Sequence, residues 1–270
     1  MTPLTLTLLT TLLALTTTVQ AQCGSGTPHA RVTGSGSSFT ATKGSSTIYI
    51  GSDYRQAIQS ALDSVSSGQR VAVMASGSIG ANTITLTSGK IFEGCGTINV
   101  GTRSGRGALE STNTNDVQIP YLTMTGNPYF GLRFSGTRDL SLGKINMNLS
   151  GGLGIRFDRD KAANYNVKMD VITVTGAGSH AVETWNIDGL TVNQVIARNV
   201  GESGLLLQKT TNARVGLVDG NNVGTGTGSE FTNNKDIWVT LTVNNNSVRE
   251  SPCGENTNWS LSGNFNKNIC

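Results

Sequence analysis

The sequence predicts an all-β coil of stacked parallel strands with a single helix near its N-terminus, and three observations carry that prediction. Five short segments read alike: GLRFSG from Gly131, GIRFDR from Gly154, AVETWN from Ala181, GLLLQK from Gly204 and GSEFTN from Gly228, at spacings of 23, 27, 23 and 24 residues. A near-constant period of this size marks a repeat architecture. Each segment alternates apolar and polar residues, as a half-buried strand does. Composition agrees: the 270 residues include 34 Gly, with 14% charged and 6% aromatic, a mixture that disfavours a helical bundle and suits short strands joined by tight turns.

Taken in order, residues 1–21 (MTPLTLTLLTTLLALTTTVQA) are mostly apolar or Thr and carry no charge. The run is too short and Thr-rich for a transmembrane helix and ends in Val19-Gln20-Ala21, which reads as a secretory signal peptide cleaved after Ala21. The expectation is a secreted, extracellular monomer, one domain over 22–270, with no membrane attachment. Four cysteines follow, Cys23, Cys95, Cys253 and Cys270. They allow three pairings; Cys23–Cys95 with Cys253–Cys270 is favoured because each bridge ties down one terminus. Their spacing resembles no zinc site. Sequons at Asn148, Asn245 and Asn258 fit a glycosylated secreted chain.

Residues 22–50 are Gly/Ser/Thr-rich and read as a loop with one edge strand at Thr47–Ile50. In SDYRQAIQSALDSV, Ser52 or Asp53 can cap a helix, and Ala57, Ile58, Ala61, Leu62 and Val65 mark one face at helical spacing. That places a helix at about 52–66, ended by Gly68. From 70 to about 245 the pattern has period two. From Ala108 onward each opening strand is followed by a polar turn and a second apolar strand: VQIPYLTM, LSLGKINM, VKMDVITV, LTVNQVIA, ARVGLVDG, IWVTLTV. Such units cannot bury a face alone and must stack, with the helix closing one end of the core. Residues 246–270 fall outside the repeat and are expected to cap the other end.

SDYRQAIQSALD, its Gly-containing turn and RVAVMASGSI together resemble the entry to the pectin-lyase-like superfamily, in which a helix of the form A-I-Q-x-A-L-D precedes the first strand. GLRF, GIRF and GLLL resemble its G-I-x-I strands, and the likeness covers about 48–245. It implies a single-stranded right-handed parallel β-helix and a polysaccharide-active protein related to pectate lyases and polygalacturonases. The polygalacturonase motifs Asn-Thr-Asp, Gly-Asp-Asp, Gly-His-Gly and Arg-Ile-Lys do not occur here. The pectate-lyase motif Trp-Ile-Asp-His is only echoed by Trp185-Asn186-Ile187-Asp188. No site residue is therefore carried over from the family; the candidates come from the repeat itself.

Aligning the opening strands turns Leu132, Ile155, Val182, Leu205 and Ser229 inward, with Phe134, Phe157, Thr184, Leu207 and Phe231. The outward columns are Arg133, Arg156, Glu183, Leu206 and Glu230, then Ser135, Asp158, Trp185, Gln208 and Thr232; an earlier rung adds Glu110. His180 and Glu202 stand just before strands, and Lys209 just after one. In a chain so sparing with charge this is the densest ionisable set. Alternating charges on an exposed strand face also serve simply to block edge association.

Read as a site, Arg156, Asp158, His180 and Glu183 are the candidate catalytic residues, and Arg133, Trp185, Glu202 and Lys209 the candidate substrate-binding ones. Arg forks match uronate carboxylates, and an indole gives a sugar ring a face to stack on. β-Elimination needs a base at the C5 proton and a cation at the adjacent carboxylate, which Arg156, Lys161, Lys209 or His180 can supply. Hydrolysis needs two carboxylates, and strand spacings put Asp158 and Glu183 about 8 Å apart, inside the roughly 6.5–9.5 Å of inverting enzymes. The loop DRDKAANY, residues 158–165, accounts for the 27-residue spacing and lies beside the patch. No cofactor is expected, although Asp158 and Glu183 are the groups that would recruit calcium. A net charge of +3 with no Lys/Arg run speaks against nucleic acid. The expected partner is an extracellular acidic polysaccharide, cleaved by a lyase in preference to a hydrolase, with a non-catalytic wall-binding or host-recognised protein as the other class.

Overall fold

The computed structural model describes residues 22–223, 227–232, 234–243, 246–263 and 265–270. The expected signal peptide and the Asn245 sequon lie outside them, and the assignments of Ser229, Glu230, Phe231 and Thr232 lie outside the described side chains.

Each repeat contributes one short and one long strand, and the two kinds stack separately. The short strands, among them Gly107–Thr112, Phe130–Ser135, Leu153–Phe157, Val182–Trp185 and Leu205–Gln208, form a nine-stranded parallel sheet. The long ones, including Gln118–Gly126, Arg138–Leu149, Asn164–Thr175, Ile187–Val200 and Thr211–Val223, form most of a 13-stranded sheet. The result is a right-handed parallel β-helix of about seven turns, preceded by a helix. Its core is the inward columns: Leu132, Phe134, Ile155, Phe157, Val182, Thr184, Leu205 and Leu207 are fully buried, and Phe134 and Phe157 stack with centroids 5.1 Å apart.

The long strands bend once each, at the same place. Alternation slips by one residue between Leu142 and Ile145, Met169 and Ile172, Val192 and Val195, and Val215 and Val218, all buried. Two successive residues face outward there, so the core is enclosed from three sides by only two strands per turn.

A second stacked feature makes the entry to each long strand. Asp116, Asp139, Asn166, Gly189, Asn212, Asp236 and Asn256 occupy one position in successive turns, all at φ between 51° and 80°. Only Gly, Asn and Asp adopt this left-handed conformation readily, and only those types occur. Their amides also join turns: Asn166 Nδ2 donates to Asp139 Oδ1 at 3.0 Å and Asn256 Nδ2 to Asp236 Oδ1 at 2.7 Å. Asn212→Val is therefore expected to lower the unfolding free energy by about 2 kcal/mol or more, while Asn212→Gly, which keeps the backbone conformation and loses only the exposed amide contact to Asp188, costs about 1 kcal/mol. Urea melts of the two variants check this; equal melts would show that φ is not what selects the residue.

At the N-terminal end Asp53, rather than Ser52, caps the helix Tyr54–Ser64, accepting from Gln56 N at 2.8 Å. The helix buries Tyr54, Ala57, Ile58, Ala61 and Leu62 over the open core. Residues 22–50 hold three antiparallel strands, Ala30–Ser35, Ser38–Lys43 and Ser46–Gly51, instead of the expected loop and single edge strand. Gly36 and Gly44, both at positive φ, make the turns between them. Their Ser/Thr content hid the alternation that buries Ala30, Val32, Phe39 and Ala41.

The C-terminal segment is not a separate cap. Asn246–Glu250, Glu255–Ser262 and Phe265–Asn268 pair in parallel with the preceding turns and extend both sheets. Thr257, Trp259 and Leu261 alternate inward, a period-two signal diluted by Asn and Ser, and Trp259, Leu261 and Ile269 pack partly buried on the last core layer. The disulfides are Cys23–Cys95 and Cys253–Cys270, with Cα–Cα distances of 5.6 and 5.8 Å. Among the described residues no helix is long and apolar enough to cross a membrane.

Candidate functional site

Parallel in-register stacking puts every residue of an outward column about 4.8 Å from its counterparts in the neighbouring turns. In the short-strand sheet one column reads Glu110, Arg133, Arg156, Glu183, Leu206. Opposite charges therefore meet, and they form one chain of ion pairs. Arg106 forks onto Glu110 at 2.6–3.0 Å. Arg133 reaches Glu110 Oε1 at 3.2 Å and Asp158 Oδ2 at 2.9 Å. Arg156 has its Nε 3.6 Å from Asp158 Oδ1 and its Nη1 on Glu183 Oε2. Trp185 Nε1 closes the chain by donating to Glu183 Oε1 at 2.7 Å. The three carboxylates are buried and the guanidiniums half-buried or at the surface.

The electrostatics are clearest at Glu110. Burial alone would raise its carboxyl, but hydrogen bonds from Arg106, from the Gly107 N–H and from Arg133 outweigh that and hold it below its usual value of 4.5. A carboxyl depressed on folding contributes stability that is present above its unfolded value and lost as pH falls through the folded one. The denaturation midpoint is thus expected to fall as pH drops below 4.5, and Glu110→Gln to flatten that fall. An unchanged acid limb in Glu110→Gln would place the sensitivity elsewhere.

His180 is set by the next turn. Its Nδ1 accepts from the Ser203 N–H at 3.2 Å, so the ring proton sits on Nε2, which lies 2.7 Å from Glu202 Oε2. His180 is buried and Glu202 exposed.

A cavity of about 550 Å³ opens where the turns lead into the short strands, and Arg156, His180 and Glu183 share its wall with Tyr129, Phe130 and Ser179. Tyr129 and Phe130 meet edge to face at 4.6 Å, and Arg156 and Arg133 lie 5.5 and 5.8 Å from the centroid of Phe130. Three of the four residues expected to be catalytic thus share one cavity. Asp158 and Arg133 stand behind it in the ion-pair chain. Glu202 hangs from His180 beside it, its N–H bonded to the Ser179 carbonyl at 3.1 Å. Trp185 is turned to Glu183 and has Arg159 over its ring at 5.3 Å, Arg159 coming from the inserted loop. Lys209 and Lys161 are exposed and bond to nothing among the described residues.

Two sequence expectations change in this geometry. The space between Asp158 and Glu183, which an inverting hydrolase leaves for water, holds the Arg156 guanidinium. His180, offered as a base, has its acceptor nitrogen turned to backbone. Tyr129 and Phe130 precede the leading Gly131 and so lie outside the repeated columns; an adjacent aromatic pair just before a repeat start is the signal the sequence carries for them.

Comparison with protein-family models, curated proteins and solved structures gave no match. Fold and site together define the chain as a parallel β-helix with a polar, aromatic-walled cavity where the turns enter its short-strand sheet. A fold of this kind hosts many chemistries, so function rests on the cavity.

Proposed function

We propose that the protein is a secreted, monomeric, pectin-lyase-like protein acting on an acidic, pectin-like polysaccharide, by β-elimination. The observation that carries the reading is the shared cavity, whose wall brings together a cation (Arg156), an aromatic pair (Tyr129, Phe130) and His180, with an exposed carboxylate (Glu202) held against His180 beside it. A uronate ring packs on the aromatic wall with its carboxylate toward Arg156, which lines the same cavity. Guanidinium charge stabilises the carbanion that forms next to that carboxylate. Glu202, oriented by the Nε2–H of His180, takes the C5 proton; its electron pair forms the C4–C5 double bond as the C4–O bond breaks, and the leaving oxygen is protonated by water. Two disulfides fit an oxidising compartment, and the uncharged, Thr-rich 1–21 run supports secretion.

Incubation with polygalacturonate, rhamnogalacturonan or alginate is expected to raise ultraviolet absorbance from unsaturated uronate ends, and Glu202→Gln to abolish the rise. Reducing ends without absorbance would instead indicate hydrolysis. A second reading, binding without turnover, is favoured by one observation: most of the site's charges neutralise one another within the protein. Retention of these polymers with no product from any of them would select it.

A further inference from the structure

We infer that the outward face of the long strands, before their bend, is a second binding groove for an extended anionic polysaccharide, separate from the cavity at the short strands. This rests on the acidic-polymer reading above for the ligand's class, and on independent residues for the site. Two depressions of about 480 and 350 Å³ lie on this face and share Lys168 and Thr191. Gly143 lines the first and Gly189 the second; at Gly143 a Cβ would collide with the Pro120 carbonyl oxygen. One register column runs through both, Gln118, Ser141, Lys168, Thr191, Arg214 and Trp238. At about 4.8 Å per turn it extends roughly 24 Å along the solenoid axis.

The charges separate this face from the cavity. In the short-strand sheet Arg106, Arg133 and Arg156 are each neutralised by carboxylates. Lys168, exposed, makes no ion pair or hydrogen bond among the described residues. Arg214 is held by the Trp238 ring, 4.9 Å from its centroid, and has no carboxylate partner among the described residues, so its donors stay available. The acids of the depressions are already engaged: Asp139 accepts from Asn166 and Asp170 from Asn193, both at 3.0 Å. Trp238 is 40% exposed, which leaves ring surface beside Arg214 for a sugar.

The pitch matches the ligand. One turn of the solenoid is close to the length of one pyranose in an extended chain. A two-fold uronate chain shows a carboxylate to one side at every second sugar, and Lys168 and Arg214 stand two turns apart, about 9.6 Å. A polymer laid along the column therefore meets a cation at two successive inward carboxylates, Lys168 and Arg214, with the Thr191 hydroxyl between them and the Ser141 hydroxyl and Gln118 amide beyond Lys168.

The test is titration of the full chain with an oligogalacturonate long enough to span the column, read by calorimetry. Wild type is expected to bind two chains per molecule. Lys168→Glu/Arg214→Glu, both exposed and outside the core, is expected to bind one, with the lost site weakened about tenfold or more, since each cation–carboxylate contact is a charge-assisted hydrogen bond. Arg156→Lys is expected to weaken only the other site. One chain per molecule in wild type, lost in Arg156→Lys and unaffected by Lys168→Glu/Arg214→Glu, would overturn the second groove and leave the cavity reading standing. No binding of any uronate oligomer would overturn both.

Discussion

Arg156→Ala is expected to cost about 3 kcal/mol of unfolding free energy and to eliminate activity on, or affinity for, uronate polymers at the cavity. The stability loss follows from what the guanidinium holds apart. Arg156 bridges Asp158 and Glu183, both carboxylates are buried, and its own side chain is 21% exposed. Removing one partner of such a pair leaves the others as uncompensated charge, which costs roughly 3–5 kcal/mol in buried settings; the partial exposure of Arg156 places the expectation at the lower end. Arg156→Lys separates the two effects. It keeps the positive charge but not the fork that reaches two carboxylates, so most of the stability is expected to return while polymer affinity stays low. Chemical denaturation of both variants, with product absorbance or calorimetric binding alongside, checks this. Wild-type melting of Arg156→Ala would mean that Arg133 alone neutralises Asp158 and that Glu183 repacks around Trp185.

The second large effect belongs to the disulfides, and it is a difference between them. Cys23–Cys95 closes 72 residues and Cys253–Cys270 only 17. Chain-entropy arithmetic assigns about 4 kcal/mol to the first and about 3 kcal/mol to the second. Replacing Cys23 and Cys95 by Ser is thus expected to destabilise more than replacing Cys253 and Cys270. Location adds to the ranking. The first bridge ties the segment before the strand Ala30–Ser35 to Ile91–Val100, where Glu93 also accepts from Gly24 N–H at 3.1 Å and pairs with Arg70. Losing it frees the layer that closes the N-terminal end of the core. Denaturant midpoints of the two double variants decide the order; the reverse order would show that the last turns, which no element covers among the described residues, are the weaker end of the solenoid.

Much of the fold was legible because its repeat is legible. The first and third residues after Gly131, Gly154, Ala181 and Gly204 are apolar or Thr and form the fully buried inward columns of the short strands, although Glu183 and Leu206 of the outward column are buried as well. The helix was legible from Ala57, Ile58, Ala61 and Leu62 at helical spacing. Three features were not. The strands at 30–51 and 255–268 are built largely from Ser, Thr and Asn, whose side chains do not announce a buried face. The left-handed column from Asp116 to Asn256 reads in sequence as ordinary polar turns, since Asp and Asn are common in every kind of turn. The bend in each long strand is a one-residue slip in alternation, visible only once neighbouring turns are laid in register.

The candidate site divides the same way. The sequence by itself determined which charged residues share an outward column, because the repeat period sets the register, and so it brought Arg133, Arg156, Asp158 and Glu183 onto one face. Only the tertiary structure decided how those charges spend their interactions: ion pairs depend on rotamers and on which turn lies next door, and these satisfied most of the arginines within the protein. It also decided that Tyr129 and Phe130 wall the cavity, that His180 carries its proton on Nε2, and that Lys168 and Arg214, on another face, have no carboxylate partner among the described residues. Periodicity specifies direction from the backbone; partnership between side chains is specified by three-dimensional neighbours that the repeat alone does not name.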